Sequence, residues 1–142
     1  MSERIHATAV ALTGGGVLLF GPSGSGKSDL ALRLVDRGAR LISDDQTLVT
    51  RSGGGVKAAA LPGWQGQIEV RGIGIVTLPF ADTAEIALVA VLTPSPERLP
   101  RPSVYPLCGV DVPCIELDPR PSSAPLLIEL ALNRAPVVHS SE

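Results

Sequence analysis

Between an apolar stretch, Val17-Leu18-Leu19-Phe20, and a segment in which Leu30, Ala31, Leu34 and Val35 recur at helical spacing, lie eight residues reading GPSGSGKS, Gly21 to Ser28. They form the G-x-x-x-x-G-K-[ST] pattern in the strand, loop and helix setting that its chemistry requires. Wrapping an anion in backbone N–H groups needs tight turns and close approach, which Gly21, Gly24 and Gly26 permit. The Lys27 ammonium would sit on the β- and γ-phosphates and the Ser28 hydroxyl would ligate Mg²⁺. The helix expected from about Gly26 to Arg37, stopped by Gly38, adds the partial positive charge of its N-terminus. The cradle is therefore Gly21, Pro22, Ser23, Gly24, Ser25, Gly26, Lys27 and Ser28. A glycine-rich turn that only mimics the pattern is the competing interpretation, and the flanking strand and helix weigh against it.

The chain has 142 residues, the size of one domain, with no room for a second catalytic one. A net charge of −2 and a pI near 5.7 give no basic footprint for nucleic acid. No run approaches the roughly 18 apolar residues of a membrane span, so a cytoplasmic protein is expected. In that compartment Cys108 and Cys114 are expected to be ordinary reduced thiols, and with only His6 and His139 beside them they make a poor metal set. Aromatic residues are so few that the core must be built from Val, Ile, Leu and Ala, and no aromatic platform for stacking bases is evident.

Loose alternation from Arg4 to Leu12, followed by Thr13-Gly-Gly-Gly16, reads as a strand, a turn and a return strand into the loop. Short strands are expected at Arg40 to Ser43, Gln46 to Thr50 and Val56 to Ala60, and a loop at Leu61 to Gln67. An apolar stretch follows from Ile68 to Leu78, and a buried strand from Glu85 to Leu92. Nine of the thirteen prolines fall between Pro94 and Pro125, which predicts an extended segment with one strand near Cys114 to Leu117. A final helix is expected at Leu126 to Arg134 and a frayed tail at residues 135–142, so the domain spans 1–134. Many short β-segments around two helices depart from a repeating βαβ pattern, and predict a mixed, largely antiparallel α/β domain.

A phosphate loop transfers nothing unless a carboxylate holds the metal and another group handles the attacking hydroxyl. Asp44 and Asp45 stand at a strand end about twenty residues past the loop, where one could serve Mg²⁺ and the other the nucleophile; a solvated turn is the plainer alternative. In IEVRGIGI, Ile68 to Ile75, Glu69 and Arg71 are two apart, and on a strand they would share a face. Set in an apolar run, they need ligands or each other.

Taken together, His6 near the N-terminus, the GPSGSGKS loop, RGARLISDD from Arg37 to Asp45 and IEVRGIGI resemble the catalytic domain of bacterial HPr kinase/phosphorylase over roughly residues 4 to 134. The resemblance implies a mixed α/β fold similar to the nucleotide domain of phosphoenolpyruvate carboxykinase. It also implies an ATP- and Mg²⁺-dependent enzyme that phosphorylates a serine of the phosphocarrier HPr. The same enzyme would remove that phosphate by attack of inorganic phosphate, releasing pyrophosphate. By position, Asp44 matches the general base, and Asp45, Ser28 and Glu69 match the metal site. Lys27 matches the phosphate-binding lysine, and His6 and Arg71 match residues lining the active site. Members tend toward hexamers. Where the family carries R-P-G-R-N this chain reads Arg120-Pro-Ser-Ser-Ala124; Arg120 matches the first arginine and the second has no counterpart. A small-metabolite kinase, and a nucleotide-binding regulatory module without transfer activity, are the alternatives.

Overall fold

The computed structural model describes residues 2–140, with side chains described for 2–134. β1 (Ser2–Ile5) and β2 (Thr8–Leu12) are separate strands, because the chain breaks at His6 and Ala7 and the two segments take different partners. β2 turns at Thr13-Gly14 into β3 (Gly15–Phe20), with Leu12 opposite Gly15, as the glycine signal predicts. α1 (Lys27–Asp36) follows the loop, and then come β4 (Arg40–Ser43), β5 (Thr47–Ser52) and β6 (Gly55–Ala59).

The stretch expected as one apolar run at Ile68 to Leu78 is instead a small separate hairpin, β7 (Gln67–Val70) and β8 (Gly74–Thr77). Its turn is Arg71-Gly72-Ile73, closed by Ile73 N–H donating to Val70 O at 3.0 Å. β9 (Thr83–Leu92) is the longest strand. The proline-rich segment holds two strands where one is expected, β10 (Ser103–Leu107) and β11 (Val110–Leu117). The last helix, α2 (Ala124–Ser140), runs six residues past the expected end at Arg134.

The main sheet runs β1-β5-β6-β9-β3-β2-β4, with β11 also on β9 and β10 on β11. The β3–β9 and β9–β11 pairs are parallel and the other strand pairs are antiparallel, so the sheet is mixed. Successive side chains of β3 take opposite faces: Val17 and Leu19 join the cluster under α1 and α2 with Leu30, Leu34 and Ile128, while Leu18 packs beneath with Ile42, Val49 and Val112. Burial on both faces explains why the inner part of β9 is a continuous apolar run.

This packing fixes the end of β3 against the start of α1. Gly26 makes the junction, with φ of 104°, and a Cβ there would stand 3.3 Å from Pro119 Cγ. Gly26→Ala is expected to cost about 1–3 kcal/mol from backbone strain alone, read as a lowered urea midpoint.

Candidate functional site

The loop leaves β3 after Phe20 and turns back on itself, with Ser25 N–H donating to Pro22 O at 3.0 Å. Gly24 has φ of 82° and would carry a Cβ into open space, so the chain there stays bare toward solvent. α1 begins with no side chain capping it. Its first N–H groups lack intrahelical acceptors and face outward with the positive end of the helix dipole, which makes an anion seat. Lys27 is buried, and its Nζ donates to Gly21 O at 2.6 Å and Pro22 O at 3.2 Å. The ammonium thus rests on main-chain carbonyls beside a seat for anions. Ser25 Oγ is buried without a partner among the described residues, tucked where a Cβ on Gly21 would collide with it.

Asp44 and Asp45 occupy the turn between β4 and β5. Asp44 Oδ1 accepts hydrogen bonds from Ser28 Oγ at 2.7 Å and from Thr8 Oγ1 at 3.2 Å. Thr8 Oγ1 in turn accepts the N–H of Asp45 at 3.0 Å. Asp45 adopts a left-handed conformation, φ 69°, and its Oδ1 lies 2.6 Å from His6 Nε2. His6 and Asp45 are both exposed, whereas Asp44 lies deeper against α1. Burial raises the Asp44 pKa above the ordinary carboxylate value; the Ser28 and Thr8 hydroxyls oppose the rise, the charge of Asp45 adds to it, and the Glu69 main-chain N–H opposes it. Beneath the turn the Ser43 and Thr47 hydroxyls lie against each other and share their two protons among that contact, Gln46 O at 2.9 Å from Ser43 Oγ and Ala7 O at 2.8 Å from Thr47 Oγ1. These buried bonds hold the turn against the kink that carries His6.

The fold therefore gathers Lys27, Ser28, Asp44, Asp45 and His6. Ser28 meets Asp44, not Asp45, because the left-handed conformation of Asp45 turns its carboxylate to His6. Glu69 enters through its main chain beside Asp44, with its side chain exposed. Arg71 does not share a strand face with Glu69; it lies in the exposed turn after β7. Both cysteines are free thiols, as expected. No described helix is long and apolar enough to cross a membrane.

Thr8 is a site residue that the sequence does not single out; its only signal is a hydroxyl inside an Ala- and Val-rich strand. It is fully buried, and its one hydroxyl orients both acids. Thr8→Val keeps the shape but orphans the Asp45 N–H, and is expected to destabilise the protein by about 1–3 kcal/mol. Thr8→Ser should recover most of the loss in the same denaturation experiment.

Residues 1–86 match the family model described as the HPr Serine kinase C-terminal domain. The chain belongs to this family. A HPr kinase/phosphorylase of Clostridium botulinum (strain Eklund 17B / Type B) is 44% identical over 73 residues, covering 51% of this chain and 24% of that protein. One from Chlorobium phaeovibrioides is 34% identical over 130 residues, covering 81% of this chain and 39% of its own length. The chain thus spans a quarter to two-fifths of these relatives. Among solved structures, the Hpr(Ser) kinase/phosphatase from Coxiella burnetii superposes with a TM-score of 0.84 at 26% identity, over 98% of this chain and 93% of that one. The mixed α/β fold of the family is therefore the fold of this chain.

Proposed function

We propose that this family member is an ATP-dependent protein-serine kinase acting on an HPr-type phosphocarrier in the cytoplasm, and that it also runs the reverse phosphorolysis, in which inorganic phosphate takes the phosphoryl group and pyrophosphate leaves. The observation that carries this is the bond from Ser28 Oγ to Asp44 Oδ1, which joins the phosphate seat to a half-buried carboxylate. The names of its relatives supply the acceptor. In this proposal the loop after β3 makes the domain a nucleotide-binding unit of the phosphoenolpyruvate carboxykinase type.

The loop N–H groups and Lys27 hold the β- and γ-phosphates, and the open side over Gly24 admits them. Ser28 at the head of α1 and Asp44 and Asp45 in the β4–β5 turn offer hard oxygen donors, the kind that suits Mg²⁺ completed by phosphate and water. Ser28 and Asp45, with Glu69 of the neighbouring β7, would hold the metal, which when bound would neutralise phosphate charge. Asp44 accepts the proton of the incoming serine hydroxyl as its oxygen bonds to the γ-phosphorus and ADP leaves. In reverse, a phosphate oxygen attacks the phosphoserine phosphorus and Asp44 returns the proton to the departing serine oxygen. A carboxyl raised in pKa by burial suits both directions, since it must accept and give back a proton near neutral pH. His6 steadies Asp45 at the mouth, and Arg71, exposed on the neighbouring turn, meets the acceptor or the transferring phosphoryl group.

The test is transfer of label from γ-labelled ATP with Mg²⁺ to purified HPr, with an HPr variant lacking the acceptor serine as control, followed by excess inorganic phosphate. Label on HPr alone, then released as pyrophosphate, is the expected result. Binding of ATP with no labelling of HPr would discard the kinase assignment.

A further inference from the structure

On the outer side of the phosphate loop lies a cavity of about 410 Å³. One wall is the loop itself, and the other is formed by the end of β9 with Thr93 and Pro94, and by the Asp118 to Arg120 segment that follows β11. Arg33 of α1 fixes this second wall, donating from Nη2 to Pro119 O at 2.5 Å and from Nη1 to Pro121 O at 3.2 Å. Thr93 N–H donates to Leu117 O at 2.9 Å, which ties the two wall segments together. The cavity is thus a built feature, continuous with the place where the phosphates of a donor would lie.

Arg120 stands at its rim with the Nε and Nη2 edge of its guanidinium already engaged. Nε and Nη2 each donate to Asp118 at 2.9 Å, to Oδ1 and Oδ2 respectively, and Nη2 also reaches Pro94 O at 3.3 Å. With its charge met by a bidentate carboxylate, this guanidinium keeps only its Nη1 edge for a phosphate. It also offers its flat face, held in place by these bonds, on a side chain 70% exposed. No aromatic residue lines the cavity, while Pro94 and Pro119 give it apolar rings.

We propose that this cavity is the nucleobase subsite of the phosphoryl donor and that Arg120, locked edge-on by Asp118 and Pro94, is its stacking platform. The proposal rests on the assignment of donor phosphates to the Gly21–Ser28 loop. A base stacks on a guanidinium through its π-face, which every base possesses, so the platform holds purine nucleoside triphosphates with little discrimination between them. Base selectivity in this chain is accordingly weak, and the gain of a nucleotide over a bare polyphosphate is the contribution of Arg120.

Calorimetric titration of the whole chain with Mg²⁺ and ATP, GTP or inorganic tripolyphosphate tests this. The expected result is ATP and GTP affinities within about threefold of each other and tripolyphosphate about tenfold weaker. Arg120→Ala should bring ATP and GTP down to the tripolyphosphate value and leave tripolyphosphate itself unchanged, which also shows the variant to be folded. Arg120→Lys, which keeps the charge and loses the plane, should behave like Arg120→Ala. Equal losses for ATP and tripolyphosphate in Arg120→Ala, restoration by Arg120→Lys, or an unaltered ATP affinity would each overturn the proposal while leaving the phosphate loop in place. Failure of the wild-type chain to bind either ATP or tripolyphosphate would overturn the loop assignment and the subsite with it.

Discussion

Asp44→Asn is expected to lower phosphoryl transfer to HPr by about 10²–10⁴-fold in kcat, the usual contribution of a positioned general base, while ATP affinity stays within a few-fold. The amide oxygen can still accept the Ser28 and Thr8 hydroxyl bonds that Asp44 Oδ1 accepts, so the turn and the loop keep their shapes. What is lost is the ability to take a proton. Stability should move the opposite way. Burial raises the Asp44 pKa, so the folded protein retains a proton that the unfolded chain has already released. The stabilisation this gives is complete below the unfolded carboxylate value of about 4 and is lost as pH rises through the folded value. Asn titrates nowhere in that range. In metal- and nucleotide-free protein the variant should therefore be at least as stable as wild type at neutral pH, with a flatter pH dependence of the urea midpoint. A variant that still labels HPr at the wild-type rate removes Asp44 as the base, and one that loses ATP binding makes it a ligand-site residue instead.

That this pair of effects can be framed at all depends on features legible in the sequence. Glycine spacing and the apolar flanks place the loop and α1 correctly, and Thr13-Gly14 marks the hairpin that delivers β3 to the loop. Asp44 and Asp45 are legible because two acids closing a strand near a phosphate loop have a chemical reason to be there. The errors have physical causes. Ile68 to Leu78 reads as one apolar stretch because apolar residues continue across Gly72, and only its left-handed conformation, φ 86°, reveals a turn. That turn carries Arg71 off the strand. The β10–β11 hairpin is masked by Pro106 and Pro113, yet β10 pairs only with β11, and Pro113 immediately precedes the Cys114–Leu117 stretch that pairs with β9. Thr8 is invisible for a different reason: it meets Asp44 across 36 residues, a contact created only when β2 pairs with both β3 and β4. Arg33 escapes notice likewise, and Arg120 is legible only by its match to the family's first arginine, since their main-chain acceptors are known only once the ends of β9 and β11 have been brought beside α1.

Lys27→Ala is expected to abolish stabilisation of the fold by MgATP. For wild type at about 100 times the dissociation constant that stabilisation is about 2.7 kcal/mol, a rise of roughly 6–11 °C in Tm for a chain of this size. The expectation follows from what Lys27 touches. Its ammonium is buried, yet the acceptors it has are two neutral carbonyls, of Gly21 and Pro22, with no carboxylate within ion-pair distance among the described residues. A buried cation held by dipoles alone gains little from its place in the empty protein. It gains its counter-charge when phosphates occupy the loop, so most of its interaction energy appears only in the complex. Removing it should leave the unliganded Tm close to wild type, because the freed Gly21 and Pro22 carbonyls lie at a partly exposed loop where water can replace the ammonium. A large fall in unliganded Tm would instead make Lys27 a structural brace of the loop. An undiminished MgATP shift would mean that the phosphates bind away from Gly21–Ser28, and the roles given to Ser28 and Asp44 would fall with it.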